Sequence, residues 1–228
     1  MLKKLMISAV VGALSLGAAT IASAATLSVS GGSNATLGSN FDLNATTGLS
    51  NGDSVKLFDG TWFNGVPNTD PGGLVLDGAP AQLKFEYLGS EAGDENRTIF
   101  TQGTDEILFN NKTSSVGDSV IKTVNANGLV PFAFENDNGR LCFIFCIDLG
   151  EDQAPNTGDI DWGLSLAFYQ VNPGEVIALF GDGSGDADFD DMAIRISVVP
   201  LPPAVALFAG ALFGLGWLSR RRKAAATA

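Results

Sequence analysis

The stretch Ala193-Ile194-Arg195-Ile196-Ser197-Val198 decides the fold of this chain, because apolar and polar side chains alternate along it. A period of two residues is typical of a β-strand with one buried face. Leu83-Lys84-Phe85-Glu86-Tyr87 repeats the alternation more than a hundred residues earlier. The pattern predicts that both segments are strands that turn one face toward a hydrophobic core.

Short runs of this kind recur from residue 25 to residue 198, and Gly, Asn, Asp and Pro separate them. Many short strands with frequent turns favour an all-β fold, which we expect to be a sandwich of the jelly-roll or immunoglobulin-like type. We expect a turn at Asn172-Pro173-Gly174 and a long loop from Gly60 to Pro80. The predicted strands are Thr26–Ser30, Asn40–Ala45, Ser54–Phe58, Ala81–Leu88, Thr98–Thr101, Glu106–Phe109, Ser119–Val124, Leu129–Glu135, Arg140–Leu149, Leu164–Gln170, Glu175–Phe180 and Asp191–Val198.

Both cysteines of the chain, Cys142 and Cys146, lie in the apolar run Leu141–Ile147, which we expect to be part of one central strand. On an extended strand, residues four positions apart are separated by about 13 Å. A disulfide needs Cα atoms within roughly 7 Å of each other. The strand therefore favours two buried thiols, whereas a tight local turn would permit a bridge, which an oxidising export compartment favours.

Charge is distributed unevenly along the chain. The body, residues 25–198, carries seven basic residues against all 25 acidic residues, which gives it a net charge of −18. Such a surface repels nucleic-acid phosphates, so we expect no nucleic-acid partner. The chain contains no histidine, which excludes Ser-His-Asp and Cys-His catalysis and histidine-based zinc sites.

The first 24 residues, Met1–Ala24, have the pattern of a secretory signal. Lys3 and Lys4 precede the apolar stretch Leu5–Ile21, and Ala22-Ser23-Ala24 is a small-residue cleavage motif. The pattern predicts that the export machinery translocates the chain and that signal peptidase cleaves it before Ala25. An uncleaved N-terminal membrane helix is the alternative.

The last thirty residues, 199–228, predict a membrane-held tail. Val199-Pro200-Leu201-Pro202-Pro203 precedes the apolar run Ala204–Leu218, and Arg220-Arg221-Arg222-Lys223 follows it. A helix over that run is about 22 Å long, which is short for a hydrocarbon core about 30 Å thick. The cations stay on the cytoplasmic side, so the body lies outside the cytoplasm. A permanent anchor and a sorting signal are both compatible with this pattern.

The combination of proline motif, short apolar helix and arginine cluster resembles the C-terminal signal of bacterial exosortase substrates, the PEP-CTERM group. Val199-Pro200-Leu201-Pro202 looks like the Val-Pro-Leu-Pro variant of that signal. The resemblance covers residues 198–224. It implies that a membrane-embedded exosortase-type enzyme processes the chain and that the body reaches the cell envelope or an extracellular polysaccharide matrix. We therefore expect an exported, non-enzymatic surface or matrix protein. The sorting residues are Val199, Pro200, Leu201, Pro202, Pro203, Arg220, Arg221 and Arg222.

An acidic loop, Asp182–Asp191, is the candidate metal site. Calcium takes six to eight oxygen ligands, and the candidate ligands are Asp182, Asp186, Asp188, Asp190 and Asp191. The spacing is not that of an EF-hand, because alanine occupies loop positions six and twelve, Ala187 and Ala193. The alternative is an acidic hairpin turn whose carboxylates accept hydrogen bonds from backbone amides.

The stretch Val176–Met192 also resembles the end of uncharacterised bacterial extracellular domains that are frequent among exosortase substrates. That resemblance implies a β-rich surface domain and no known reaction.

Two further functions are open to the residues. Five aromatic side chains could stack on a glycan or could be core and loop anchors; they are Trp62, Phe63, Tyr87, Trp162 and Tyr169. A smaller acidic group, Asp148–Asp152 with Asp159 and Asp161, could complete a cation site if the loops converge. Paired carboxylates could also serve a glycoside hydrolase. Acidic residues are so abundant that such a pair arises by chance, so the hydrolase is the least favoured alternative.

Overall fold

A computed structural model describes residues 25–59, 72–137, 140–142, 146–148, 152–156, 164–182 and 189–200. The predicted secretory signal, Met1–Ala24, and the predicted membrane helix, Ala204–Leu218, lie outside these residues. Within the part of the chain that the structure describes, no helix has the length and apolar character needed to cross a bilayer.

The described chain is all-β, as predicted, with one short helix, α1, at Asn44–Thr47. Most strands have between four and nine residues, which is usual for globular proteins. The strands are β1 Thr26–Ser30, β2 Ser33–Thr36, β3 Ser54–Asp59, β4 Gly73–Asp77, β5 Ala81–Gly89, β6 Glu95–Phe100, β7 Glu106–Asn110, β8 Ser119–Val124, β9 Gly128–Leu129, β10 Phe132–Asp137, β11 Arg140–Cys142, β12 Cys146–Asp148, β13 Asp152–Pro155, β14 Ser165–Asn172, β15 Glu175–Gly181 and β16 Met192–Val198.

The largest sheet has seven strands in the order β2-β3-β14-β15-β16-β5-β8. A four-stranded sheet has the order β13-β10-β6-β7, a three-stranded sheet the order β1-β4-β9, and β11 pairs with β12 alone. Every pair is antiparallel. The alternating strands β5 and β16 are neighbours in the large sheet, with β5 next to the edge strand β8. They are in register from Ile194 opposite Tyr87 to Val198 opposite Leu83.

The main core lies between the seven-stranded sheet on one side and the four-stranded and three-stranded sheets on the other. Phe134 of β10 stacks on Phe180 of β15 with ring centroids 5.0 Å apart. Phe132 of β10 meets Phe85 of β5 edge to face at 6.2 Å. Leu74 and Leu76 of β4 join the same cluster. Side chains from facing sheets therefore interdigitate, as they do in a sandwich.

A second cluster covers the opposite face of the large sheet. Ile177 and Leu179 of β15 pack there with Phe41 and Phe189. Val176, Ala178 and Phe180 alternate with them and enter the main core. The strand β15 is thus buried on both faces, which accounts for its nearly continuous apolar sequence.

Several predicted elements were wrong, among them the single strand over Leu129–Glu135, which the structure divides between β9 and β10 of different sheets. Asn40–Ala45 is a loop followed by α1, because Phe41 is buried in the second cluster and Gly48 ends the helix in the left-handed conformation. The predicted loop Gly60–Pro80 contains the strand β4. The β4 residues Leu74 and Leu76 are fully buried, so burial outweighs the Gly- and Pro-rich surroundings. The predicted turn Asn172–Gly174 is confirmed between β14 and β15.

The prediction of one strand over Arg140–Leu149 was also wrong. The chain forms β11 and β12, which pair antiparallel with Cys142 directly opposite Cys146. Among the described strands, this pair belongs to neither the large sheet nor the two other sheets, so this segment is not a central strand. An apolar run alone does not reveal whether it continues or folds back on itself.

Candidate functional site

The acidic loop joins β15 to β16, so its two ends meet. Asp182 follows β15 directly and Asp191 precedes β16 directly, while Phe180 pairs with Met192. The backbone N–H of Asp182 donates to Asp191 Oδ2 at 2.6 Å. The candidate ligands Asp186 and Asp188 lie outside the described residues.

Two asparagines from the opposite sheet complete the site. Asn96 of β6 and Asn136 of β10 are register partners, and both are fully buried. Asn96 Nδ2 donates to Asp182 Oδ2 at 2.6 Å, and Asn136 Nδ2 donates to the same oxygen at 3.1 Å. Asn136 Nδ2 also donates to Asn96 Oδ1 at 2.8 Å. We call Asn96, Asn136, Asp182 and Asp191 the amide–carboxylate cluster.

A second layer of hydrogen bonds fixes the cluster. The backbone N–H of Asn96 donates to Asn111 Oδ1 at 2.9 Å. Asn111 Nδ2 donates to Ser90 Oγ at 3.2 Å, and that hydroxyl donates to the backbone oxygen of Asp191. Outer hydrogen bonds of this kind hold inner polar groups in one orientation. Asn111 and Ser90 therefore connect two members of the cluster, Asn96 of β6 and Asp191 at the end of the acidic loop.

Asp190 forms hydrogen bonds with parts of the chain outside the cluster. Its Oδ2 accepts a hydrogen bond from the backbone N–H of Asp42 at 2.6 Å, and its backbone oxygen accepts one from Glu91 N at 2.9 Å. Phe189, the preceding residue, has φ 63° and is buried in the second hydrophobic cluster. A positive φ at a bulky residue is uncommon and is held by its surroundings. The chain thus directs Asp190 and Asp191 to different neighbours.

Sequence reasoning missed Asn96 and Asn136 because it searched for acidic residues. Within the described residues, no group of three or more His, Cys, Asp or Glu side chains could hold a metal ion. A signal did exist in the alternation of β10. Phe132, Phe134 and Asn136 share one face of that strand, so a polar residue on an otherwise aromatic buried face marks a special position.

The predicted sorting motif begins where the sheet ends. The backbone N–H of Val199 donates to Gln82 O at 2.8 Å, and Pro200 is exposed. Leu201, Pro202, Pro203 and the arginine cluster lie outside the described residues.

The aromatic candidates do not form one described surface. Tyr87 is buried in the main core, where burial raises the pKa of its hydroxyl and a hydrogen bond with Ser90 partly opposes that shift. Tyr169 is half-buried and lines a shallow open groove of about 400 Å³ with Phe168 and Gln170. Trp62, Phe63 and Trp162 lie outside the described residues, as do Asp159 and Asp161 of the hydrolase alternative.

Comparison with protein-family models, with curated proteins and with solved structures gives no match to this chain.

Proposed function

We propose that this chain is an exported, non-enzymatic surface or extracellular-matrix protein, sorted through a PEP-CTERM-like signal at residues 199–228. The body is a sandwich of the jelly-roll or immunoglobulin-like type, and a signal helix and a membrane helix flank it. Export machinery and signal peptidase act on Met1–Ala24. A membrane-embedded exosortase-type enzyme acts on Val199–Pro203.

The junction between body and tail carries this proposal. The strand β16 lies between β15 and β5, with hydrogen-bonded neighbours on both sides. Its pairing ends at Val199, and Pro200 follows as an exposed residue without an N–H group to continue the ladder. A tether at this point is attached to a well-held strand of the fold. Cleavage after it removes no described strand.

The charge of the body disfavours anionic partners. A net charge of −18 on residues 25–198 keeps the domain soluble and repels phosphate-rich polymers and anionic lipid headgroups. Neutral or cation-bridged extracellular polysaccharide is compatible with that surface.

The test is the C-terminus of the protein isolated from the cells that produce it. Mass spectrometry of envelope and matrix fractions is expected to find chains that begin at Ala25 and end upstream of Ala204. The double substitution Pro200→Ala/Pro202→Ala is expected to leave chains that end at Ala228 in the membrane fraction. Pro173→Ala, an exposed proline in the β14–β15 turn, is the matched control and is expected to be processed normally.

An intact Ala228 end on wild-type protein in its final location would overturn the processing claim. Unchanged placement after deletion of Ala204–Lys223 would overturn the sorting claim as well.

A further inference from the structure

We propose that the amide–carboxylate cluster binds one divalent cation, with Asn136 and Asn96 as ligands beside Asp182 and Asp191, and that calcium is the ion it fits. This goes beyond a sorting function, since it assigns a ligand site to the body itself.

The observation that points to a ligand is the side-chain oxygen of Asn136. Asn136 is fully buried, and its Oδ1 has no hydrogen-bond partner within the described part of the chain. A buried polar atom without a partner costs free energy and calls for a specific explanation. The nitrogen of the same planar amide donates to Asp182 Oδ2 at 3.1 Å. The amide that carries the unpartnered oxygen is therefore in direct contact with the carboxylate of Asp182 through its nitrogen.

The oxygen-rich composition of the cluster matches a hard cation. Two carboxylates, the side-chain oxygen of Asn96 and the backbone oxygen of Asp191 lie within a network of direct hydrogen bonds. The unpartnered side-chain oxygen of Asn136 belongs to an amide whose nitrogen is part of the same network. Calcium accepts carboxylate, asparagine and backbone oxygens together with water, in a flexible geometry. A site without nitrogen or sulfur ligands does not favour zinc or copper. Water and any further oxygens complete the coordination shell.

The asparagine amides can change between two roles. In the structure, both Nδ2 groups stabilise the carboxylate of Asp182. Rotation of an amide by 180° exchanges its oxygen and nitrogen positions. The same side chains then present oxygens to a cation that the carboxylate attracts. Within the described residues, Asp182 forms no ion pair with a lysine or arginine, so its charge is available to the cation.

Asp190 is assigned a positioning role and not a ligand role. Its Oδ2 accepts from Asp42 N, and its backbone oxygen accepts from Glu91 N. These bonds hold the end of the acidic loop against two neighbouring segments. Asp191 is thereby kept beside Asp182.

The experiment uses the full-length chain purified in detergent and stripped with a chelator. Isothermal titration with calcium chloride is expected to show one saturable site per chain, and thermal melting is expected to show a calcium-dependent rise of Tm, because calcium binds the native state. Asp182→Asn and Asn136→Ala are each expected to weaken the calcium Kd by at least about tenfold. Asp105→Asn removes the same charge from an exposed aspartate and is expected to leave the Kd unchanged.

The variant Asn136→Asp distinguishes a role of Asn136 as a calcium ligand from a purely structural role. The added carboxylate is expected to lower the Tm without calcium, because it places a second charge beside Asp182, and to tighten calcium binding by at least about tenfold. A purely structural role predicts a lower Tm with no gain in affinity. This variant also decides the question if Asn136→Ala does not fold.

Three results would overturn the proposal. They are no calcium binding by the wild-type chain at millimolar concentration, wild-type affinity in Asp182→Asn, and no gain of affinity in Asn136→Asp. Because none of these measurements involves the tail, failure here leaves the sorting function standing.

Discussion

The side chain of Asn156 pairs with the backbone of Leu74 as a neighbouring strand would. Asn156 Oδ1 accepts from Leu74 N at 2.6 Å, and Asn156 Nδ2 donates to Leu74 O at 2.8 Å. The same Nδ2 donates to Val130 O at 2.8 Å. This buried amide therefore connects the three-stranded sheet to the end of β13.

Asn156→Asp is expected to destabilise the fold, because a carboxylate cannot donate to the two carbonyl oxygens that Asn156 Nδ2 serves. Leaving buried carbonyls unpaired costs about 1–3 kcal/mol each, and burying a charge adds to that cost. Urea unfolding of the full-length chain in detergent measures the loss. Asn34→Asp makes the same change at an exposed position of β2 and is expected to have little effect. Equal unfolding midpoints for the two variants would contradict the assigned role.

Gly73→Ala tests the same contact from the other side. Gly73 has φ 144°, and a Cβ built on it would lie 2.3 Å from Asn156 Oδ1. The added methyl group displaces the amide from Leu74, so we expect a loss of stability comparable to that of Asn156→Asp. Gly103→Ala adds a methyl group at another glycine with positive φ where a Cβ would meet nothing within 4 Å. It reports the backbone strain alone, and a loss as large as that of Gly73→Ala would show that steric displacement is not the cause.

Gln102 covers the open edge of β8. Its Nε2 donates to Thr123 O at 3.0 Å, and its Oε1 accepts from Asn125 N at 3.2 Å. Exposed strand edges promote association between chains. Gln102→Ala is expected to cost about 1 kcal/mol of stability and to increase light scattering on mild heating. The exposed neighbour Thr104→Ala serves as the control, and equal scattering from both variants would contradict this role.

The pH dependence of stability has a defined contribution from Glu95. Arg97 donates to Glu95 Oε1 from Nε at 3.0 Å and from Nη2 at 2.9 Å, and Asn110 Nδ2 donates at 2.6 Å. The hydrogen bonds from Arg97, followed by that from Asn110, hold the pKa of Glu95 below its ordinary value of 4.5. The folded state therefore favours the ionised carboxylate. Its stabilisation is present above about pH 4.5 and is lost as the pH falls through the lowered pKa.

Glu95→Gln is accordingly expected to reduce stability near neutral pH by less than about 1 kcal/mol, since the pair is partly exposed. The same variant is expected to lose less stability than wild type between about pH 5 and about pH 3. Urea midpoints across that range measure the difference. Glu91→Gln makes the same change at an exposed glutamate. If the urea midpoint of Glu95→Gln fell with decreasing pH as steeply as that of wild type, the contribution assigned to Glu95 would be contradicted.

The success of sequence reasoning follows the regularity of each segment. Strands β1 and β8 were predicted with their observed ends, and the alternating strands β5 and β16 to within one residue at either end. These predictions succeeded because turn residues mark the ends of the strands and because one or both faces of each strand are buried. The strand β4 was missed because Leu74, Val75 and Leu76 are too few to show a period. In the site, the meeting of Asp182 with Asp191 follows from a hairpin, which is local. The contribution of Asn96 and Asn136 depends on how two sheets face each other, and no short-range pattern encodes that.

The register of β11 and β12 leads to a prediction about the two cysteines. Directly opposed residues of an antiparallel pair have Cα atoms about 4.5–5.5 Å apart, and disulfides span about 4.4–6.8 Å. Cys142 and Cys146 occupy such opposed positions. The separation of about 13 Å expected for two cysteines on one extended strand does not apply to this hairpin, so it does not argue against a disulfide between them. Exported protein isolated without reductant is expected to show no thiol that reacts with iodoacetamide, and two after reduction.

The matched control is the same chain without Met1–Ala24, which stays in the reducing cytoplasm, where both thiols are expected to react. Cell fractionation first establishes that each protein is in its intended compartment, so the thiol count reports oxidation and not mislocalisation. Cys142→Ser leaves Cys146 without an intramolecular partner and is expected to expose one reactive thiol in the exported protein. Two reactive thiols in exported wild-type chains would show that the hairpin register does not lead to a bridge, and the interpretation as two free thiols would then stand.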